Sequence, residues 1–439
     1  MEPSAGLRPD APARGVVSVP TSKSIAQRVL VASGLLGEAV RVQDLPDGED
    51  VQNLLQALQQ AGVDVRPEGQ AVEVRGRAPG LGTGWHTGAR GLDVGESGTA
   101  ARLVTACAAL CGRVGEPIRV TGSGSLARRS SPALFRTLHE AGCGLTYEGQ
   151  NHGWPVRIQP LGPPSTLKLV EPGSSQEVTA LLLALSSWPD TQVVEIEGPV
   201  PSRPYVDLTL GVLESFGVRV EDHGSSMEVP GPLRAPDGPL RVEPDASAAA
   251  VALAAGALSG GRVEVGGLGP LSRQGDLRIV EYLQSFGVRS DFGSGGPWAE
   301  GRPLRGASLD LTGEPDLTPV LAAVAGAVAL EGGGESLLTG LETLPGKESS
   351  RIEVLAGGLR ELGLRVEDTD RSLRILPGHP TSGPITLDPH GDHRMAFCFA
   401  LLGLVRDGLD VTDPTVVGKS WPGFWEDLAA VGVRVERSG

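Results

Sequence analysis

Two apolar patterns alternate along the chain. The first is a short amphipathic stretch, apolar at every third or fourth position, that stops at a glycine and runs into an alternating β-like segment. It occurs six times, over 54–65, 134–145, 208–220, 279–288, 354–366 and 424–435. The glycines are Gly62, Gly142, Gly217, Gly287, Gly363 and Gly432. Each sits where a helix needs a left-handed residue before the chain turns into a strand. The second pattern precedes each copy of the first. It is longer, rich in Ala and Leu, and apolar on most faces, over 25–36, 100–110, 178–185, 248–258, 320–330 and 395–404. Helices apolar all round are predicted to be buried. They open at Ser22, Ser97, Ser174, Asp245, Asp316 and Asp392, residue types that accept hydrogen bonds from first-turn N–H groups, so all six are expected to be caps.

The glycines recur at intervals of 80, 75, 70, 76 and 69 residues. The repeated unit therefore reads as strand, buried helix, strand, amphipathic helix and paired strands. One copy cannot bury its central helix; three around an axis can, with helices inside and sheets outside. This predicts an α/β protein of two domains, each with three βαβαββ units. The seam is expected between the third and fourth copies, near Pro230-Gly231-Pro232 and Pro236-Asp237-Gly238. One domain would comprise 22–235 and the other 1–21 with 236–439, with an anion-binding cleft between them.

A chain of 439 residues, 40% hydrophobic and 21% charged, has ample core for a folded two-domain protein. No apolar run approaches the roughly 18 residues that span a bilayer, and the first fourteen residues lack the apolar centre of a secretory signal. The net charge of −15 argues against a nucleic-acid partner, which needs broad basic faces. A small anion remains possible where a few cations converge. The lysines are Lys23, Lys168, Lys347 and Lys419, and every other basic residue is arginine. Three of these lysines fall in Gly/Ser/Pro-rich junctions, which suggests a need for a compact, titratable ammonium there. Cys107, Cys111, Cys143 and Cys398 have no metal-ligand spacing and read as core filler in a reducing compartment.

The junctions carry the chemistry. Lys23, Ser24 and Arg28 lie in the first turns of a helix that follows a Pro20-stopped strand, where unpaired N–H groups and the helix dipole attract anions. Gly95 and Gly98 flank small residues that let backbone N–H groups approach an anion. Arg128 and Arg129 stand in a polar turn and could clamp a phosphate or carboxylate. Ser174, Ser175 and Gln176 precede a buried helix, and Ser202 and Arg203 lie beside Tyr205 in a loop. In the second half come Asp316, then Lys347, Glu348 and Arg351 within about one turn, then Asp392, His393 and Arg394, and finally Lys419. Each group alone reads equally as caps, turns or solvated charge. Together they make a cationic surround for a substrate with several negative groups, leaving Asp316 and Glu348 to move protons.

These segments, with Gln274-Gly275-Asp276 and Asp245-Ala246, stand in one order over nearly the whole chain, and in that order the chain resembles the 5-enolpyruvylshikimate-3-phosphate (EPSP) synthase family. The resemblance implies transfer of the enolpyruvyl group of phosphoenolpyruvate to the 5-hydroxyl of shikimate 3-phosphate, with release of phosphate, in the shikimate pathway of aromatic amino-acid biosynthesis. It implies two domains that close over these small molecules, a cytoplasmic monomer that glyphosate targets, and neither cofactor, metal, nucleic acid nor membrane. By residue carry-over, Lys23, Ser24, Arg28, Ser174, Ser175, Gln176, Ser202, Asp316 and Lys347 would hold shikimate 3-phosphate. Lys23, Gly98, Arg129, Gln176, Arg351, Arg394 and Lys419 would hold phosphoenolpyruvate. Asp316 would take the hydroxyl proton, and Glu348 with Lys23 would protonate the methylene carbon. Departures from the family pattern are Thr21 for Gly, Glu96 and Ser97 for Asn-Ala, Ser349 and Ser350 for Thr-Asp, and Thr343 for a substrate-contacting Asn.

Two alternatives compete. A transferase acting on a UDP-sugar would need a Lys-Asn pair near its N-terminus and a reactive loop cysteine, whereas Lys23 is followed by Ser24. A non-catalytic anion-binding protein on the same scaffold would have no need of both Asp316 and Glu348.

Overall fold

The structure is a computed structural model that describes residues 3–69, 71–79, 84–86, 91–345 and 347–438. The chain divides into two compact units, one of Met1–Pro20 with Pro244–Gly439 and one of Thr21–Glu243. The division falls at 243/244, not at the expected 235/236, because Leu240 and Arg241 form a short strand paired in parallel with Val42 and Gln43 of the middle unit. The segment after the Pro-rich turns therefore belongs to what precedes it.

Each unit has three four-stranded sheets of one design. In the sheet built on Gln192–Glu197, that strand pairs in parallel with Thr166–Val170 on one side. On its other side it pairs antiparallel with Ser226–Val229, whose far edge takes Glu221–Asp222. Parallel partners need a crossover, and the helix Ser175–Leu185 supplies it. The first sheets of both units are completed by distant segments: Leu240–Arg241 in the middle unit and Arg14–Val17, beside Arg262–Val265, in the other.

The long helices form the two cores. In the middle unit Lys23–Gly34, Gly98–Cys111 and Ser175–Leu185 pack on one another. In the other unit Ala246–Leu258, Thr318–Leu330 and His393–Leu402 do so. Nearly every side chain of Ala246–Leu258 and Thr318–Leu330 is buried, as helices apolar all round require. Each unit carries one continuous apolar cluster around its helices. The amphipathic helices cover the outside of these cores, and all six of their terminal glycines have positive φ, from 76° at Gly217 to 102° at Gly142. All four cysteines are buried and free.

Five of the six expected caps are made. Ser22, Ser97, Ser174, Asp245 and Asp392 accept from the backbone N–H groups of Ile25, Ala100, Gln176, Ala248 and Arg394. Asp316 is the exception. A single 3-10 turn, Pro315–Leu317, precedes its helix, and the carboxylate makes no cap bond. No described helix is long and apolar enough to cross a membrane.

Candidate active site

In each unit the starts of the three central helices are tied together by polar side chains. In the middle unit Gln27 Nε2 donates to the capping Ser97 Oγ at 3.2 Å. Arg28 Nη2 donates to Thr179 Oγ1 at 3.3 Å, and Arg102 Nη1 to Gln176 Oε1 at 3.0 Å. Three helix N-termini thus meet at one end of the unit, which concentrates N–H groups and positive dipole ends.

Arg28 is buried, and most of its donors are used. Nε donates to Thr209 Oγ1, Nη1 to Ser24 O, and Nη2 to Tyr205 O as well as Thr179. Burial lowers it to about 10. One Nη1 N–H is left by this count. Lys23 opens the same helix and its Nζ lies 2.8 Å from Asp50 Oδ2, a partner absent from the motif. Ser174 Oγ accepts from Gln176 N as a cap, which leaves its O–H to donate, Ser175 is buried, and Ser202 adopts a strained positive φ of 53°.

Arg129, Gly98, Arg102 and Gln176 form a second group. Arg129 Nε and Nη2 are buried and have no hydrogen-bond partner. Gly98 leaves the space that the guanidinium uses: a Cβ there would lie 2.9 Å from Arg129 Nη1 and 3.1 Å from Arg102 Nη1. Arg102, which the motif reading left out of the site, is lowered to about 10 by burial, with Glu177 opposing the shift and Arg129 adding to it. Its Nη1 bonds Gly98 O and Gln176 Oε1, and its Nε bonds Ser131 Oγ, which in turn donates to the buried Glu177. With Oε1 of Gln176 taken, its amide NH₂ is the end left to face a ligand. Glu96, the acid that replaces Asn in the motif, accepts from Ser125 N and Oγ at the 3-10 turn Gly124–Arg128.

In the other unit Asp316 is the hub. Its carboxylate lies 2.9 Å from Arg351 Nη1, 3.3 Å from Lys347 Nζ and 3.4 Å from Arg394 Nη2. Burial opposes its ionisation, but Arg394, Lys347 and Arg351 outweigh that and hold it well below the usual carboxylate range. Lys347 is pushed down by burial, with Arg351 and Arg394 adding to the effect against Asp316. Arg351 also bonds the fully buried Asp392, Nε to Oδ2 at 2.8 Å. It therefore bridges two helix starts. Burial disfavours the Asp392 carboxylate, and the Arg351 cation more than restores it. Beside this hub, Glu348 Oε2 lies 3.2 Å from His393 Nδ1 and 3.9 Å from Lys419 Nζ, which also donates to Gly391 O. Arg394 Nη2 further reaches Ser247 Oγ at 3.3 Å, and Ser247 donates to the buried Asp276.

Asp316, Lys347, Glu348, Arg351, Arg394 and Lys419 are therefore brought together in one unit, as are Lys23, Ser24 and Arg28, and Gly98, Arg129 and Gln176, in the other. Asp50, Arg102, Thr179, Thr209, Ser247, Asp276, Asp392 and His393 complete these groups. Of these, only the Asp392-His393-Arg394 run gave a local sequence signal of charged chemistry.

The unsatisfied polar atoms mark the same places. Nine buried side-chain N and O atoms of the described residues lack a partner, and six of them belong to Gln27, Arg129, Asp276, Thr318 and Thr343. All five stand at or beside the tied helix starts or the Lys347 loop. Buried polar groups are as a rule hydrogen-bonded, so these open atoms are places where water or a bound ligand supplies the missing partner. Thr343 is the residue found where the resemblance leads one to expect an Asn. For a metal, Glu348, Asp392 and His393 have donor atoms within 4.8 Å of one another, but Arg351 and the helix cap already engage Asp392. Glu221, His223 and Glu228 form a second such group on the exposed surface.

Comparison with known proteins gives one answer. The family model for EPSP synthase (3-phosphoshikimate 1-carboxyvinyltransferase) matches residues 7–428. A 3-phosphoshikimate 1-carboxyvinyltransferase from Laribacter hongkongensis is 36% identical over 435 residues, covering 97% of this chain and 98% of its own. One from Cupriavidus necator is 35% identical over 440 residues, with the same coverage. Among solved structures, EPSP synthase from Acinetobacter baumannii superposes with a TM-score of 0.79 at 24% identity over the full length of both chains. The enolpyruvyl transferase NikO from Streptomyces tendae superposes at 0.74 and 18% identity, over 100% of this chain and 99% of its own, a likeness of fold.

Proposed function

This chain belongs to the EPSP synthase family, and from that premise we propose how its residues carry out the reaction. The activity is that of a 3-phosphoshikimate 1-carboxyvinyltransferase of the shikimate pathway: phosphoenolpyruvate and shikimate 3-phosphate give 5-enolpyruvylshikimate 3-phosphate and phosphate.

Lys23, Ser24, Arg28, Ser174, Ser175, Gln176, Ser202, Asp316 and Lys347 hold shikimate 3-phosphate in our reading. Lys23, Gly98, Arg129, Gln176, Arg351, Arg394 and Lys419 hold phosphoenolpyruvate. The open N–H groups of Arg129 and the last free N–H of Arg28 support this division, since each awaits an acceptor.

The observation that carries the mechanism is the ring of three cations around Asp316. A carboxylate held so far down is a poor base. An arriving phosphate or carboxylate group competes for Lys347 and Arg394, and Asp316 becomes more basic as they turn toward it. Substrate binding thus readies the base. Asp316 then takes the proton of the 5-hydroxyl as that oxygen bonds to C2 of the enolpyruvyl group, and Glu348, with Lys23, gives a proton to C3. The cations and helix N-termini stabilise the charge that develops. In the second half, the C2–O bond to phosphate breaks, the departing phosphate oxygen takes the proton that Asp316 had gained, and C3 returns its proton to the Glu348 carboxylate. His393, at hydrogen-bond distance, orients the Glu348 carboxyl.

The test is phosphate release on mixing both substrates, with each alone and with unphosphorylated shikimate as controls. Release only with the full pair is expected. Binding of both compounds without release would overturn the catalytic assignment in favour of an anion-binding protein.

A further inference from the structure

Arg394 is suspended between two carboxylates. Asp316 holds it directly, through its backbone carbonyl at 3.0 Å and its Oδ2 at 3.4 Å. Asp276 holds it through one hydroxyl: Arg394 Nη2 donates to Ser247 Oγ, and Ser247 donates to Asp276 Oδ2. Asp276 lies in the short 3-10 turn Gly275–Arg278 and is only 3% exposed. Its second oxygen, Oδ1, is buried without a partner. A buried carboxylate with one oxygen left open is costly, and this turn has no side-chain cap bond that would account for it.

We propose that Asp276 is a positioning residue for phosphoenolpyruvate binding: it acts through Ser247 on Arg394, and takes up a proton when the anionic substrate docks on that arginine. The inference rests on the assignment of Arg394 to phosphoenolpyruvate.

The surroundings of Asp276 fix the direction of the effect. Arg394 reaches toward it from the start of His393–Leu402, Asp245 from the cap of Ala246–Leu258, and Asp316 from the turn Pro315–Leu317. On its own turn, Arg278 is committed to Glu314 and Glu281. Lys347 and Arg351 face Asp316. Burial pushes the Asp276 carboxyl up to about 7, with Asp316 and Asp245 adding and Arg394 and Ser247 opposing. Among the described residues, Arg394 is the principal cation that supports its charge. A substrate anion on Arg394 neutralises that support, so the carboxyl moves further up and binds a proton near neutral pH.

The proton has a structural use. Ionised Asp276 consumes the Ser247 hydroxyl hydrogen. Protonated Asp276 donates to Ser247 Oγ instead, and the hydroxyl hydrogen is released to point at the same anion that Arg394 binds. One proton moves from solvent to Asp276, and no bond other than hydrogen bonds changes.

The experiment is the pH dependence of KM for phosphoenolpyruvate between pH 5.5 and 8.5, by phosphate release at saturating shikimate 3-phosphate. Wild type, Asp276→Asn, Ser247→Ala and Arg394→Lys are compared, so the titration of the substrate itself cancels. Wild type should show a rise in KM through about pH 7 that Asp276→Asn lacks. The Asn variant should match wild type at low pH and show a severalfold lower KM at pH 8. Ser247→Ala should raise KM severalfold, leave kcat within about threefold, and also lose the inflection. That variant decides the matter if Asp276→Asn does not fold. Superimposed wild-type and variant profiles, with KM raised in Arg394→Lys, would overturn the role of Asp276. An unchanged KM in Arg394→Lys would instead remove the premise, and the proposal with it.

Discussion

Replacing Asp316 with Asn separates its chemical role from its structural one. Asn keeps the shape and one carbonyl acceptor but removes the charge that faces cations at 2.9, 3.3 and 3.4 Å. At an effective dielectric of about 20, each pair at this separation is worth about 5 kcal/mol before desolvation. Breaking a fully buried pair by removing one partner costs about 3–5 kcal/mol. Here the cost is smaller. Arg351 keeps Asp392, and Lys347 and Arg394 are 29% and 19% exposed, so water takes up part of the loss. A net destabilisation of about 2 kcal/mol at pH 7 is expected, which in a domain of this class lowers Tm by about 4–8 °C. The charge of Asp316 is held below its unfolded value, so its stabilising effect is present above the ordinary carboxylate range and fades as pH falls through the lower folded value. The gap between variant and wild type should therefore narrow in acid.

The catalytic expectation differs in size. Loss of a general base costs about 10²–10⁴ in kcat. The uncovered cations should bind phosphoenolpyruvate at least as well as before, so its KM should not rise. Stopped phosphate-release kinetics at pH 7, and urea unfolding at pH 7 and at steps below the ordinary carboxylate range, measure both effects. A kcat within tenfold of wild type would refute the assignment of Asp316 as base. A normal acid limb in the unfolding profile would refute the account of its charge.

Gly98→Ala puts a methyl group 2.9 Å from Arg129 Nη1, closer than van der Waals contact allows, so the guanidinium must shift. KM for phosphoenolpyruvate should rise roughly tenfold, as expected for about 1.4 kcal/mol of lost binding, with KM for shikimate 3-phosphate little changed. Glu348→Gln should leave both KM values within a few-fold and reduce kcat by about 10²–10³, since Gln can still bond His393 but cannot deliver a proton; single-turnover phosphate release checks this. Asp276→Asn should also change stability. Because the folded carboxyl is raised from 3.8 to about 7, its ionisation opposes folding by roughly 4 kcal/mol once pH exceeds that value. Wild type should lose stability between about pH 4 and 7 relative to the Asn variant, and equal unfolding curves at pH 8 would contradict this.

Much of the architecture was legible because its signals are local. A glycine after an amphipathic turn and a Ser or Asp before an apolar one each report on a single helix end, and six repetitions make the pattern firm. The seam was misjudged by eight residues because the strand Leu240–Arg241 is only two residues long and belongs by pairing, not by pattern, to Val40–Gln43. In the site, charged residues in polar junctions were visible, and their family order tied them together. Arg102, Thr179, Thr209 and Ser247 were not, because each lies in an apolar helix and acquires a partner only when a second helix start is packed against it. Asp276 was seen as part of a motif without a role. Its meaning lies in what surrounds it, which no local run of residues records.

The cap position of the six central helices has a consequence for how such a protein can arise by copying. Five copies hold their side chain against their own backbone, where a change would unravel a turn. At the sixth, Pro315 begins a tighter turn that starts the helix unaided, and the aspartate is released from that duty. A repeat whose helix starts on its own turn can spare its carboxylate for other contacts without loosening the scaffold, and that carboxylate is the one the cations gather around.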